Sequence, residues 1–441
     1  MQRVLAMVVI VVAALMTALG GADQPVSPAT RPVASTHPAT GPGARKPWPA
    51  SGPKVMWEVQ VGEGFASAAV HGDSVFLLDR IDDKQDVLRV FNLSDGQEQW
   101  RYAYDAPGKL QYNGSRTRPA VDEKHVYTLG PFGHVHAISR QTHKPVWSVN
   151  LVGPYSDRVR VYGFSHNPLI VGDLLIVSAM GRKAGLVAFN RNSGEMEWKT
   201  RTFGSGETYV SPTLVTIGGV EQIIMLNDQA LIAFDPASGE LLWQYKDVIC
   251  LQPIAPPLVM DDGRVFVSSG CKAQSFMVKV TRDDGKWATT QLAHNQELGM
   301  QMHGAVRVGD YLYFVGNTNI NPLVGMVCMD FDMNVKWQTL RKPNFTHGDW
   351  RLIDGIIYAL EGREGTLHAV WPDPEKYVEL GRAKVLSSEK GDGPMWSPMT
   401  VAGTKLLCRN QKVLRCLELS PDAATGPQTR PRGPSTAAAD R

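Results

Sequence analysis

Leu231-Ile-Ala-Phe-Asp-Pro-Ala-Ser-Gly-Glu-Leu-Leu-Trp243 follows, position for position, the pattern of Leu186-Val-Ala-Phe-Asn-Arg-Asn-Ser-Gly-Glu-Met-Glu-Trp198. Each copy reads as a short strand, a turn built on Asn or Asp, Ser and Gly, and a second strand that reaches Trp: a β-hairpin. Gly194 and Gly239 fall where the turn requires positive φ, which costs glycine little. Outward from this pair the pattern recurs more loosely. Leu88 to Trp100 carries Asp95-Gly96, His134 to Trp147 has a longer turn, Phe276 to Trp287 turns at Asp284-Gly285, and Val327 to Trp337 is shorter. With Trp57, the tryptophans Trp100, Trp147, Trp198, Trp243, Trp287 and Trp337 form a ladder at spacings of 43, 47, 51, 45, 44 and 50 residues. A period of this length marks a supersecondary unit that buries its apolar face only by stacking on its neighbours.

Upstream of each hairpin lies a second pair of apolar runs. Ser211-Pro212-Thr213-Leu214-Val215 leads into Ile223 to Leu226, and Asn167 to Val171 into Leu174 to Val177. Pro256 to Met260 leads into Val265 to Val267. Four short antiparallel strands per repeat, without helical periodicity between them, predict an all-β protein built as a β-propeller. Four-strand sets begin near Phe65, Arg116, Phe164, Tyr209, Pro253, His303, His347 and Met395, which predicts eight blades. The last set ends before any closing Trp strand, whereas Lys54 to Val59 is a Trp strand with no blade before it. The N-terminal strand is therefore expected to complete the last blade and remove free sheet edges. Seven blades is the alternative count, because Val370 to Leu380 has Leu380 where a closing Trp is expected.

The signature Ala233-x-Asp235-x-x-x-Gly239-Glu240-x-x-Trp243, repeated from Ala188 to Trp198, resembles the tryptophan-docking motif of the PQQ-type, quinoprotein dehydrogenase-like propellers. The resemblance covers about residues 54 to 420 and implies that each Trp lies between adjacent blades. It implies two functions. Quinone-using members hold PQQ with calcium beside an adjacent Cys-Cys disulfide, among Glu, Asn and Asp ligands, and oxidise alcohols or sugars. Non-catalytic members include the assembly-factor propellers of the outer-membrane β-barrel assembly machine (the Bam complex). This chain has no Cys-Cys dipeptide and no residue-by-residue match to the acidic and amide ligands. No catalytic residue, metal ligand or cofactor is assigned, and the expected role is a binding scaffold with a protein partner or small ligand. A PQQ- and calcium-dependent dehydrogenase is the alternative.

Composition fits an exported protein. Met1-Gln-Arg3, an apolar run from Val4 to Leu19 and Gly20-Gly21-Ala22 read as a signal peptide over residues 1–22, with a retained anchor as the alternative. Residues 23–50 are rich in Pro, Ala and Thr and are expected to form a disordered linker, followed by a propeller over 51–420 and a disordered tail over 421–441. A periplasmic or extracellular monomer is expected. With 45 basic and 43 acidic residues, the net charge of +2 directs the chain to neither nucleic acid nor an anionic membrane. An oxidising compartment would permit two disulfides, Cys408 to Cys416 across a hairpin and Cys250 to Cys271 between loops on one face, and leaves Cys328 as a buried hydrophobe.

Catalytic signatures are missing: there is no His-Glu-x-x-His, Cys-x-x-Cys, phosphate-binding Gly-Lys-Ser/Thr or Gly-x-Ser-x-Gly. Asp330-Phe-Asp332-Met-Asn334 opens like a calcium loop, but Val335 replaces the required Gly and Arg341 the bidentate Glu, so a turn is expected. Trp350 and Trp396 have the shape to floor a planar ligand, although a Trp at a strand start more commonly packs. The candidates for a ligand or partner surface are the polar and aromatic residues before the innermost strands: Arg116, Tyr162, His166, Tyr209, Gln252, His303, His347 and Trp396. The blade plan brings them round one mouth of the central channel, with Arg158-Val159-Arg160 nearby.

Overall fold

Strands this short, each closed by a tight turn, reach only the segments immediately before and after them. Every repeat therefore forms its own antiparallel sheet. The computed structural model describes residues 46–420, apart from 180, 203–207, 249, 251–252, 271–273, 301, 319–324 and 390. The expected signal peptide, most of the linker and the C-terminal tail lie outside the described residues.

Eight sheets form the eight blades of a propeller, seven with four strands and one with five. In chain order, blades 1 to 7 span residues 69–105, 120–150, 169–199, 213–245, 258–295, 298–338 and 350–384. In blade 6 the innermost place is shared by Leu298–Gly299 and Val306–Val308, both paired with Tyr311–Thr318. Blade 8 combines Thr400–Ala402, Lys405–Arg409 and Val413–Glu418 with the N-terminal strand Lys54–Gln60, whose register runs from Lys54 opposite Glu418 to Gln60 opposite Val413. The ring closes as expected, and the eight-blade count holds.

The ladder residues lock neighbouring blades through glycine. A Cβ on Gly96 would lie 2.7 Å from the ring of Trp57, on Gly194 2.6 Å from Trp147, and on Gly239 2.5 Å from Trp198. In each case the Trp belongs to the preceding blade, and the glycine has φ of +73°, +79° or +72°. Only a residue without Cβ satisfies both the turn and the stacked indole. The indole N–H also crosses the blade boundary: Trp57 donates to Leu93 O at 2.8 Å, Trp147 to Arg191 O at 2.9 Å and Trp337 to Asp373 O at 2.8 Å. Blade 2 varies the device, with His143 at the positive-φ position (+58°) and its imidazole stacked on Trp100 at 4.4 Å. Trp243 is buried but donates within its own blade, to Gln222 Oε1.

Three expectations are corrected. Trp287 leaves the register of the ladder, although its ring still packs across a blade boundary, 3.7 Å from where a Cβ on Gly218 of blade 4 would lie. It pairs with Arg282 beside the hairpin turn, and the place next to the bulge that Trp198 holds opposite Ala188 is taken in blade 5 by Ala293 opposite Met277. Blade 5's outer strands run ten residues each, so the Trp lies far from the register point. In blade 7 the equivalent place is Gly381, opposite Ala369, and Leu380 is the bulge residue beside it. The gap is filled from outside the repeat. Trp48, only 6% exposed, would stand 3.4 Å from a Cβ on Gly381, and it packs 5.8 Å from the ring of Tyr358, whose hydroxyl donates to Pro47 O. Residues 46–50 of the expected linker are thus part of the folded body.

Cys408 and Cys416 are free thiols. Cys416 pairs with Leu407 and Cys408 with Arg415, so alternation sends the two sulfurs to opposite faces of the sheet. Cys408 packs with Met399 and Leu406 towards blade 7, and Cys416 with Trp57 and Leu407 towards blade 1. Cys271 lies outside the described residues, and Cys250 and Cys328 are buried.

Candidate functional site

Each innermost strand is entered by a loop from the preceding blade, and these loops gather at one end of the channel, here called the upper face. Rings from six consecutive entry loops touch in sequence. His347 (entering blade 7) lies 5.1 Å from Trp396 (blade 8), which stacks at 5.9 Å on Phe65 (blade 1) and lies 5.5 Å from Tyr112 (blade 2). Tyr112 lies 6.1 Å from Tyr162 (blade 3), which meets Tyr209 (blade 4) at 5.5 Å. Tyr112 is 43% exposed, so the arc has a face open to a partner.

Close backbone approach builds the arc. A Cβ on Gly114, whose φ is +111°, would lie 2.5 Å from Gly64 Cα, so these two glycines let the loops carrying Tyr112 and Phe65 cross. Phe65 N–H and Ala66 N–H then donate to Ser115 O at 2.7 and 3.0 Å. A buried ion pair supports the same loop. Arg80 holds Asp86 at 3.0 Å and donates to the carbonyls of Ala106 and Gly108, while Ser115 Oγ reaches Asp79 O and Asp86. Burial pushes the Asp86 carboxyl up to about 6 against the pull of Arg80. Arg116 lies over the Phe65 ring at 5.2 Å and donates to Gly114 O and Tyr112 O, and burial lowers its guanidinium to about 10.

Five of the sequence candidates, Arg116, Tyr162, Tyr209, His347 and Trp396, therefore meet in one surface. Gln252 lies outside the described residues. His166 does not line the mouth: it is fully buried, and desolvation drives its imidazole down to about 3. His303 is also buried and braces the layer beneath. It contacts His347 O at 3.1 Å, and its Nδ1 faces Asp349 at 3.2 Å. Asp349 in turn holds Arg351 at 2.8 Å and the Met399 amide at 2.7 Å, tying blades 6, 7 and 8 together. Trp350, itself buried, packs on His303 at 5.7 Å. Phe65, named only as a blade start, and Tyr112 were not among the surface candidates read from the sequence. Both sit in irregular connections outside the repeat, where only Gly64 and Gly114 signalled a close crossing.

An open depression of about 190 Å³ between blades 6 and 7, lined by Met302, His303, Val315, Thr346, His347, Gly348 and Trp350, adjoins the arc. Among the described residues, no three His, Cys, Asp or Glu side chains converge so as to hold a metal ion. Nor, among those residues, is any helix long and apolar enough to cross a membrane.

The family model described as outer membrane protein assembly factor BamB matches residues 84–371, well over half of the chain. The chain belongs to this family of PQQ-like repeat propellers. Among solved structures it resembles BamB from Moraxella catarrhalis, with a TM-score of 0.58, 13% identity and coverage of 83% of this chain and 97% of that one. It equally resembles quinohemoprotein alcohol dehydrogenase from Comamonas testosteroni, with a TM-score of 0.60, 11% identity and coverage of 86% and 78%. In sequence it is similar to quinoprotein alcohol dehydrogenase PedH of Pseudomonas putida, 25% identical over 292 residues, 62% of this chain and 45% of that protein. The chain thus matches less than half the length of that relative. These likenesses establish the shared propeller and leave its use to the site.

Proposed function

We propose that this propeller is a non-catalytic scaffold of the cell envelope that holds a protein partner on its upper face, in the manner the assembly-factor family name implies. The observation that carries the reading is the arc of rings from His347 round to Tyr209, broad, partly exposed and supported by a buried polar layer. Aromatic residues and arginine supply large, stiff contact area at low entropic cost and dominate protein-binding surfaces. Family membership supports the same reading, and the apolar opening segment of the chain supports export.

Donor chemistry argues against the dehydrogenase alternative, which the likeness to PedH favours. Calcium takes hard oxygen ligands, whereas the arc offers rings and a guanidinium. The carboxylates described beneath it are already engaged: Asp349 holds Arg351 and the Met399 amide, Asp86 pairs with Arg80, and Asp79 pairs with Arg89. A photocrosslinking residue in place of Tyr112, compared with one in place of Val401 (40% exposed, near the lower turn of blade 8), tests the scaffold reading in native envelopes. The expected result is a discrete adduct from position 112 only. Equal labelling from both positions, or none from 112, would overturn it.

A further inference from the structure

The near-zero net charge conceals a segregation of charge on the upper face. At blade 3, three segments lie against one another. Lys183 Nζ donates to Gly153 O at 2.5 Å, Thr202 donates to Gly181 O at 2.7 Å, and Gly181 packs on Tyr155 and Ser156 so closely that a Cβ would lie 2.5 Å from Tyr155 O. Together they expose Arg158, Arg182, Lys183 and Arg201, and Arg160 lies buried beneath them, 3.6 Å from Asp157. Asp157 is the one carboxylate among the described residues of these segments. Against a desolvation penalty, backbone hydrogen bonds and the nearby arginines hold it below the ordinary aspartate range. Among the described residues, no carboxylate forms an ion pair with any of the four exposed cations, so their charge is available to a partner. Val161, 59% exposed, stands among them, and Tyr162 continues the surface into the aromatic arc. Blade 1 presents the opposite sign on the same face, with Glu63, Asp82, Asp83 and Asp105 beside Lys84 and Lys109.

We propose that the blade 3 sector, formed by Arg158, Val161, Arg182, Lys183 and Arg201 and flanked by Tyr162, is the docking surface for an acidic polypeptide segment with interspersed apolar residues. The inference rests on the reading of the upper face as a partner-binding surface and names the partner's chemistry. Arginine forks match carboxylates in bidentate geometry, and Val161 and Tyr162 offer apolar contacts between the cations. The charge contrast selects a segment over a membrane. An anionic bilayer would meet the whole face, including the blade 1 carboxylates that repel it, whereas a segment confined to blade 3 meets the four exposed cations with Asp157 as the one described carboxylate among them.

The test uses the whole chain and a fluorescent synthetic peptide of alternating Glu and Leu, its Gln-Leu counterpart, and phosphatidylglycerol vesicles. The expected result is saturable binding of the acidic peptide only, weakened roughly tenfold when salt is raised from low to physiological strength and above. The combined variant Arg158→Glu, Arg182→Glu, Lys183→Glu loses binding at least tenfold, while Lys144→Glu, on the lower hairpin of blade 2, binds like the parent. Unchanged melting of both variants separates lost docking from lost folding. Absence of acidic-peptide binding at low salt, equal binding by the triple variant, or tighter binding to vesicles than to the peptide would each overturn the proposal. None of these outcomes bears on whether Tyr112 labels a partner, so this inference and the scaffold reading fail separately.

Discussion

Gly194 and Gly239 each meet two demands at once, a left-handed turn and an indole from the preceding blade where a Cβ would stand. Alanine at either position combines backbone strain with overpacking, and the expected loss is about 2–4 kcal/mol by chemical denaturation. Gly172, also at positive φ but with open space around it, serves as the control and loses about 1 kcal/mol. Equal losses at all three sites would refute the docking role. The histidines give a pH signature. His166 is held near 3 and His136 near 4 by burial, well below the ~6.5 of an unfolded histidine. The unfolded chain therefore takes up protons first, so their contribution is complete above about pH 6.5 and is lost as pH falls towards 4 and below. Asp86, raised to about 6, acts in the opposite sense: its contribution is present below about pH 4 and is lost as pH rises through 6. His166→Met should flatten the fall in melting temperature between pH 7 and pH 4, and an unchanged slope would contradict this assignment.

At the scale of the element, the repeat was legible because its signature combines turn chemistry with a spaced indole, and both are local. Strand pairing, blade count and closure by Lys54–Gln60 followed from it. Departures from the repeat were not legible. Trp287 keeps the spacing but sits at the tip of elongated strands, and Trp48 fills the blade 7 gap from a segment whose composition reads as linker. Spacing along the chain does not report register across a bulge. Trp48→Ala should cost about 3 kcal/mol, as for other buried Trp truncations, although the residue lies outside every repeat. A cost near zero would mean that the segment only rests on the body. Of the site, the residues at regular blade entries were found. Phe65 and Tyr112 were not, because their loops are shaped by a buried pair, Arg80 and Asp86, and by two crossing glycines. Asp86→Asn removes the counter-charge of a fully buried arginine and is expected to destabilise by about 3–5 kcal/mol. It should also change the emission of Trp396, which packs on Phe65 and Tyr112.

For the whole molecule, the interlocked blades close into a ring, and the upper face is where the repeats diverge and rings and charge accumulate. The lower turns carry the glycine docking, and Lys54 and Glu418 pair at that end, so the chain enters and leaves the ring away from the proposed binding face. The same ring in the dehydrogenases shows that architecture alone does not decide use. Titration of the purified protein with PQQ and calcium, followed by tryptophan fluorescence and by dye reduction with alcohols and sugars, tests the scaffold role most directly. A scaffold gives no saturable change and no turnover. Saturable binding with substrate-dependent dye reduction would contradict that role.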